Sequence, residues 1–308
     1  LAGVSCALPT SFPWLLVLRF FQGVGAASLT SLSVTLLGDL YEEGDRERAV
    51  GYNASALSIG TASYPLIGGS LAALGWRFPF LLSIVALPVA FAVIKLLHLP
   101  DSPQSELHTT GSRIAAVLRN AWARGIVTLS LVAILVFILL YGAYLAYLPF
   151  LLEERFGASS PVVGAIMSTM SLTTALVSSR HGQLARRFST GWILTLAAFL
   201  YATALVVVPL MPSIWLVPLG TVIYGTAQGL TIPTVQSQIA GRAPMELRGA
   251  TVTANAMAIR IGQTVGPLVA GAVYAATGVD AVFFMAAMLP ALMLLVVWTS
   301  RERPVVKR

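Results

Sequence analysis

Residues 125–151 read GIVTLSLVAILVFILLYGAYLAYLPFL, a run without one charged side chain. A helix needs about 20 mostly apolar residues to cross the hydrocarbon of a bilayer, and this run is long enough. Working outward, eight further stretches of the same kind appear, near 13–38, 48–73, 77–98, 161–180, 191–211, 213–238, 249–276 and 280–299. Backbone groups in lipid must bond internally, and the runs do not alternate, so the spans are helices rather than barrel strands. Composition agrees: 57% of the 308 residues are hydrophobic, 10% are charged, and the mean hydropathy is +0.83. A soluble domain carries about 25% charged residues, which excludes a soluble enzyme and, more firmly, a disordered chain. The one cysteine, Cys6, excludes a disulfide framework and a cysteine-built zinc site. Residues 1–10, LAGVSCALPT, are apolar but too short to span and follow no basic segment. They read as the tail of a helix that begins earlier, not as a signal peptide.

The basic residues sort between the two sides. Fifteen of the nineteen fall in alternate loops and the tail: Arg46 and Arg48; Lys95, Arg113, Arg119 and Arg124; Arg180, Arg186 and Arg187; Arg242 and Arg248; Arg301, Arg303, Lys307 and Arg308. The other side has only Arg77 and Arg155, and Arg19 and Arg260 lie inside spans. The rich side is expected to be cytoplasmic, with the C-terminus on it. The net charge of +7 therefore reports topology and not a nucleic-acid partner.

The longest loop, 99–124, opens on Pro100 and Pro103 and continues as SRIAAVLRNAWARG, whose apolar positions 114, 117, 118, 121 and 122 suit a short helix on the membrane surface. It joins two related halves. At an offset of 202 residues Gly23 meets Gly225, Arg46 meets Arg248, Asn53 meets Asn255, Gly60 meets Gly262, Pro65 meets Pro267 and Gly69 meets Gly271. Matched Gly and Pro in corresponding apolar segments point to a duplicated carrier with its site between the repeats. The same offset predicts about 80 residues before Leu1, room for two helices and most of a third at about 20 residues each.

The helix carrying LRFFQGVGAA, with Arg19, Gln22, Gly23, Gly25, Ala26 and Ala27, resembles the fourth-helix signature of the drug:proton antiporters of the major facilitator superfamily. GTASYPLIGG resembles their fifth-helix antiporter signature through Gly60, Pro65, Gly68 and Gly69, with Tyr64 where the family has a glycine. The copy in the second half, GQTVGPLVAG, keeps Gly262, Gly266, Pro267 and Gly271. HGQLARRFSTG resembles the family's loop signature at Gly182, Leu184 and Arg187, with Arg186 in place of an aspartate. The resemblance covers essentially the whole chain. It implies an all-α polytopic membrane protein with a two-bundle fold: residues 1–98 as the remainder of the N-terminal bundle, 99–124 as a cytoplasmic linker, and 125–308 as a six-helix C-terminal bundle and tail. It also implies alternating access, a role of Arg19 in proton coupling, and control of leak and direction by the glycine–proline stretch.

Arg260 sits about eleven residues into its span, roughly 17 Å along the helix, where a charge is most expensive. It is expected to contact an anion or substrate or to pair with a carboxylate. Arg19 either faces the pathway or snorkels to the interface. Asp39, at the inner end of its span, is a candidate gate residue, with a solvated helix end as the alternative. Asn53, Tyr141, Tyr144, Tyr224, Gln228, Gln236, Asn255 and Gln263 are candidates for lining a cavity, while for each of them taken alone interhelical hydrogen bonding is the expected role. Tyr141 and Tyr144, three apart, share a face of an ideal helix. No phosphate-binding loop or metal-spaced cluster occurs, so neither ATP-driven transport nor metal chemistry is indicated, and no cofactor is expected. The expected function is proton-coupled efflux of small molecules or drugs by a monomer in the plasma membrane. A sugar or metabolite facilitator or symporter, and an inactive fragment, stay open as alternatives.

Overall fold

The computed structural model describes residues 1–9, 11–41, 43–97, 124–242 and 248–299. The surface helix expected within 99–124 (save Arg124 itself) and the basic tail beyond 299 lie outside the described residues. The chain divides into two compact units, Leu1–Leu107 with Ser159–Ala165, and His108–Ala158 with Ile166–Arg308.

In the first unit the opening turn α1 (Ala2–Ser5) is followed by α2 (Phe12–Leu40), α3 (Glu43–Ala72) and α4 (Phe78–Leu96). Pro13 opens α2 in its first turn, where a missing N–H goes unnoticed, and Pro65 lies inside α3. The turn at α1 packs on both α2 and α4. Gly3 makes this approach possible, because a Cβ there would stand 2.6 Å from Ser83 Oγ. Among the described side chains the large apolar residues of α2 and α4 are mostly exposed, including Phe20, Phe21, Phe91 and Ile94. Apolar surface on this scale is a place for lipid or further helices to cover.

The second unit contains α5 (Gly125–Phe156), α6 (Ser160–Ser179, shared with the first unit at its start), the short α7 (His181–Arg187), α8 (Thr190–Leu210), α9 (Val217–Arg242), α10 (Arg248–Thr277) and α11 (Val279–Trp298). Helix α8 packs on α9 and α11, and α5 packs on α9, α10 and α11. Their shared core is large and apolar: Ile126, Val132, Leu139, Leu148, Leu151, Leu194, Leu205, Phe283 and Met293 are buried. Ser189 caps α8, its hydroxyl accepting from the Trp192 N–H at 3.3 Å. Gly157 ends α5 at φ 61°, with its N–H on the Glu153 carbonyl, an ending that only a residue tolerant of the left-handed region makes freely.

Among the described residues six helices are long and apolar enough to cross a membrane: Phe78–Leu96, Gly125–Phe156, Ser160–Ser179, Thr190–Leu210, Thr251–Thr277 and Val279–Trp298. No strand occurs among the described residues. Each of the nine apolar stretches read from sequence coincides with a helix or a run of helical segments. The fold is the all-α, two-bundle membrane architecture expected.

Helix α5 departs from the α form in its middle. Residues Leu139–Tyr147 adopt the wider π spacing, in which N–H groups reach back five residues instead of four.

Candidate functional site

In the first unit Arg19 and Gln22 face the same side of α2, one turn apart. Arg19 Nη1 donates to Gln22 Oε1 at 3.0 Å, and the guanidinium lies 4.6 Å from the centroid of the Phe80 ring on α4. An aromatic face is a natural seat for a guanidinium. Gln22 Oε1 is also 3.9 Å from the sulfur of Cys6, which is fully buried. Gly23 and Gly25 are exposed, and a Cβ on either would meet nothing within 4 Å. Asp39 is the penultimate residue of α2, and its side chain lies outside the described ones. Asn53 on α3 is half-buried.

The α3 signature residues each show a distinct environment. Gly60 leaves room for its neighbour one turn on: a Cβ there would stand 3.2 Å from the Tyr64 ring. The tyrosine that replaces the family's glycine is thus laid along the small residue before it. Gly68 meets nothing, whereas a Cβ on Gly69 would strike the Ser160 carbonyl oxygen and Gly164 Cα within the same unit.

In the second unit the glycines carry the packing of α10 on α5. A Cβ on Gly266 would stand 2.8 Å from the Ile138 carbonyl oxygen and 3.0 Å from Gly142 N. A Cβ on Gly142 would meet Gly266 O at 2.9 Å, and one on Gly262 would meet Ile134 O at 2.5 Å. These are backbone atoms, which cannot swing aside. Pro267 follows inside α10, and Gly271 lies beside the Tyr147 hydroxyl. An apolar cavity of about 160 Å³ lies at this junction, bounded by Ile138, Gly142, Val265, Gly266, Val282 and Met285.

Tyr144, Tyr224 and Gln228 come together in the interior. Tyr144 stacks on Tyr224 with centroids 4.8 Å apart, and Tyr201 meets Tyr224 edge-on at 5.0 Å. The Tyr201 hydroxyl donates to Gln228 Oε1. Next to them Thr169 and Thr221 share a hydrogen bond between α6 and α9. The Tyr224 hydroxyl and Gln228 Nε2 have no hydrogen-bond partner among the described residues. Buried polar groups are seldom left so, and each is a free donor for a water or ligand atom. Tyr201, Thr169 and Thr221 were not singled out by sequence. Thr221 could have been, because it is the offset counterpart of Arg19; Tyr201 carried no signal beyond its place in an otherwise apolar span.

Tyr141 does not join Tyr144. It is half-buried and stacks on Phe137 at 6.2 Å, because the π spacing turns each residue through a smaller angle and separates two side chains that an α-helix would align. Asn255 is buried with Oδ1 unpartnered among the described residues, and lines a cavity of about 10 Å³ with Thr231, Val235 and Gln236. Such a space holds about one water.

Arg260 lies on the exposed side of α10. Its Nη1 donates to Gln263 Oε1 at 2.9 Å, the same one-turn arrangement as Arg19 and Gln22. Near the end of α5, Arg155 Nη2 holds both carboxylate oxygens of Asp280 at 2.8 and 2.6 Å, and the Tyr274 hydroxyl donates to Glu154 at 2.6 Å. No cluster of three His, Cys, Asp or Glu residues able to hold a metal occurs among the described residues. His181, in the short α7 between spans, has its pKa lowered by partial burial.

Comparison with known proteins follows the same lines. A family model described as the Major Facilitator Superfamily matches residues 1–160 and 129–308. Among curated proteins, the chain is 22% identical to "Riboflavin transporter RibZ" of Clostridioides difficile, over 79% of this chain and 64% of that protein. It is 24% identical to "Multidrug resistance protein 2" of Bacillus subtilis, over 83% of this chain and 65% of that protein. The chain thus spans just under two thirds of the length of these relatives. Among solved structures, a bacterial homolog to the human lysosomal transporter Spinster superposes with a TM-score of 0.72 at 19% identity, covering 99% of this chain and 82% of that one. The D-xylose-proton symporter does so with a TM-score of 0.72 at 16% identity, covering 96% and 77%.

Proposed function

Since the chain belongs to the Major Facilitator Superfamily and is an integral membrane protein and transporter of that family, we propose that it carries small molecules outward in exchange for protons, by alternating access. The carrying observation is the glycine–proline stretch of α3, Gly60 to Gly69, helical straight through Pro65 and repeated in register in α10. Gly69 of α3 and Gly262 and Gly266 of α10 approach neighbours through backbone atoms, and a helix that does so can slide and tilt without interlocked side chains, which suits bundles that rock about a central site. Relatives named for multidrug resistance support export. Arg19, held by Gln22 and Phe80, supplies a fixed charge that disfavours a bound proton nearby and so couples protonation to occupancy.

In this reading the protein is a carrier and not an enzyme, works as a monomer, and lies in the plasma membrane with its C-terminus cytoplasmic, as the loop charges indicate. Asp39 serves as a gate at the inner end of α2. Residues 1–98 and 125–308 act as the two rocking bodies, joined by the segment 99–124.

The test is exchange in proteoliposomes of the purified chain, loaded with a fluorescent dye and subjected to a pH jump. Dye movement should follow the imposed gradient and stop when a protonophore collapses it. Movement indifferent to the gradient would replace exchange by facilitated diffusion, and no movement of any dye would remove carriage by this chain.

A further inference from the structure

Away from the ends of the spans of the second unit, Arg260 is the one Asp, Glu, Lys, Arg or His: residues 125–152, 161–179, 190–241, 249–259, 261–277 and 281–299 contain none of these. It stands about 18 Å along α10 from Arg248, at 1.5 Å per residue. The packed side of α10 is the stripe Thr251, Asn255, Gly262, Gly266 and Ala270, all buried. Arg260 lies about half a turn away from that stripe, among the exposed Met257, Thr264 and Leu268. A guanidinium presented to hydrocarbon at this depth is strongly disfavoured, which argues for a polar opening beside Arg260 even though Met257 and Leu268 on the same side are apolar.

The group is also aimed. Gln263 takes one N–H of a planar fork that has five, which fixes the plane and leaves a pair free for a bidentate acceptor. The buried polar residues of this unit, Thr221, Gln228, Thr231, Thr234, Thr251 and Asn255, are all neutral. None of them carries a charge that would compete for the guanidinium as a counter-ion.

We infer that Arg260, oriented by Gln263, binds an anionic group, a carboxylate in the first instance, of the molecule carried. This rests on the carrier reading and narrows it: the charge placed at membrane depth in this unit selects organic anions over the lipophilic cations that many exporters take. A headgroup phosphate is the other anion available in a membrane, but it resides at the interface and not at this depth.

The experiment uses the full chain in nanodiscs of phosphatidylcholine alone, with two dyes that share a fused ring system and differ in charge. They are anionic fluorescein and the cationic methyl ester of tetramethylrhodamine, read by fluorescence anisotropy. Fluorescein should bind about tenfold tighter or better, the value of one charge-assisted pair of hydrogen bonds. Benzoate should compete for it, and binding should weaken with salt. Arg260→Gln should abolish the preference, Arg260→Lys should keep part of it, and Gln263→Ala should weaken fluorescein alone. Equal or tighter binding of the cation by the unaltered chain, no saturable fluorescein binding, or fluorescein binding untouched by Arg260→Gln each overturns the inference. So does displacement of fluorescein by added phosphatidylglycerol, which would assign the arginine to lipid. The unaltered chain decides between the dyes even if a variant fails to fold. Arg260-dependent binding without dye movement in proteoliposomes would instead remove carriage and leave the anion site standing.

Discussion

Gly23 and Gly225 occupy equivalent positions in the internal repeat, yet they sit in opposite surroundings. A Cβ on Gly23 would meet nothing within 4 Å. One on Gly225 would stand 2.6 Å from the Met170 carbonyl oxygen and 3.0 Å from Thr173 Cβ, because α9 and α6 touch there through their backbones. The neighbouring positions diverge as well: Arg19 and Gln22 in the first unit correspond to Thr221 and Tyr224 in the second, where the two are buried. At the same offset the counterparts of Met170 and Thr173 would fall before Leu1, so the contrast is one of neighbours within this chain: α9 has α6 to close on, and the face of α2 carries Arg19 with Gln22 and Phe80. The second unit repeats the arginine–glutamine pair on another helix, α10, as Arg260 and Gln263.

Substitutions that enlarge these glycines can break the contrast, and thermal unfolding of the detergent-solubilised chain measures it. Gly266→Val should have the largest effect, on the order of 3 kcal/mol, since backbone at Ile138 and Gly142 leaves no room to repack. Gly225→Ala should cost about 1–3 kcal/mol for the same reason at a single methyl. Tyr201→Phe, which leaves Gln228 Oε1 without its donor inside the core, should cost about 1–2 kcal/mol. Asp280→Asn breaks the Arg155 pair, but both partners are partly exposed, 33% and 45%, so less than about 1 kcal/mol is expected. Gly23→Ala should be neutral or stabilising by about 0.5–1 kcal/mol, because an open helical site gains from the lower entropy of the unfolded chain. Equal losses for Gly23→Ala and Gly225→Ala would erase the difference between the units.

The spans were legible in sequence because a long apolar run admits one solution in lipid, and the glycine and proline landmarks stood out because few other residues stand in for them. The close approaches at Gly262 and Gly266 follow from the same stripe. What was hidden depended on rotation about helix axes. Tyr141 and Tyr144 look paired at a spacing of three, and only the wider winding of Leu139–Tyr147 sends one to Phe137 and the other to Tyr224. Tyr201 was hidden for a related reason: one hydroxyl in a span otherwise apolar gives no hint of its partner on the next helix. The depth of Arg260 along its span was readable from the residue count, but its pairing with Gln263 and its exposure became definite only with the structure, where the packed stripe of α10 lies on another side of the helix.

The wide turns of α5 carry an evolutionary consequence. A helix with an extra residue absorbed in its π segment can lose that residue and tighten to the α form while its two flanks keep their facing. A single deletion between 139 and 147 should therefore leave Leu148–Phe156, with Leu151 and Leu152 still inward, nearly in phase. The same deletion in the middle of α10 would rotate everything beyond it by about 100° and turn the glycine stripe away from α5. The segment is thus the place in this bundle where chain length can drift without scrambling the core.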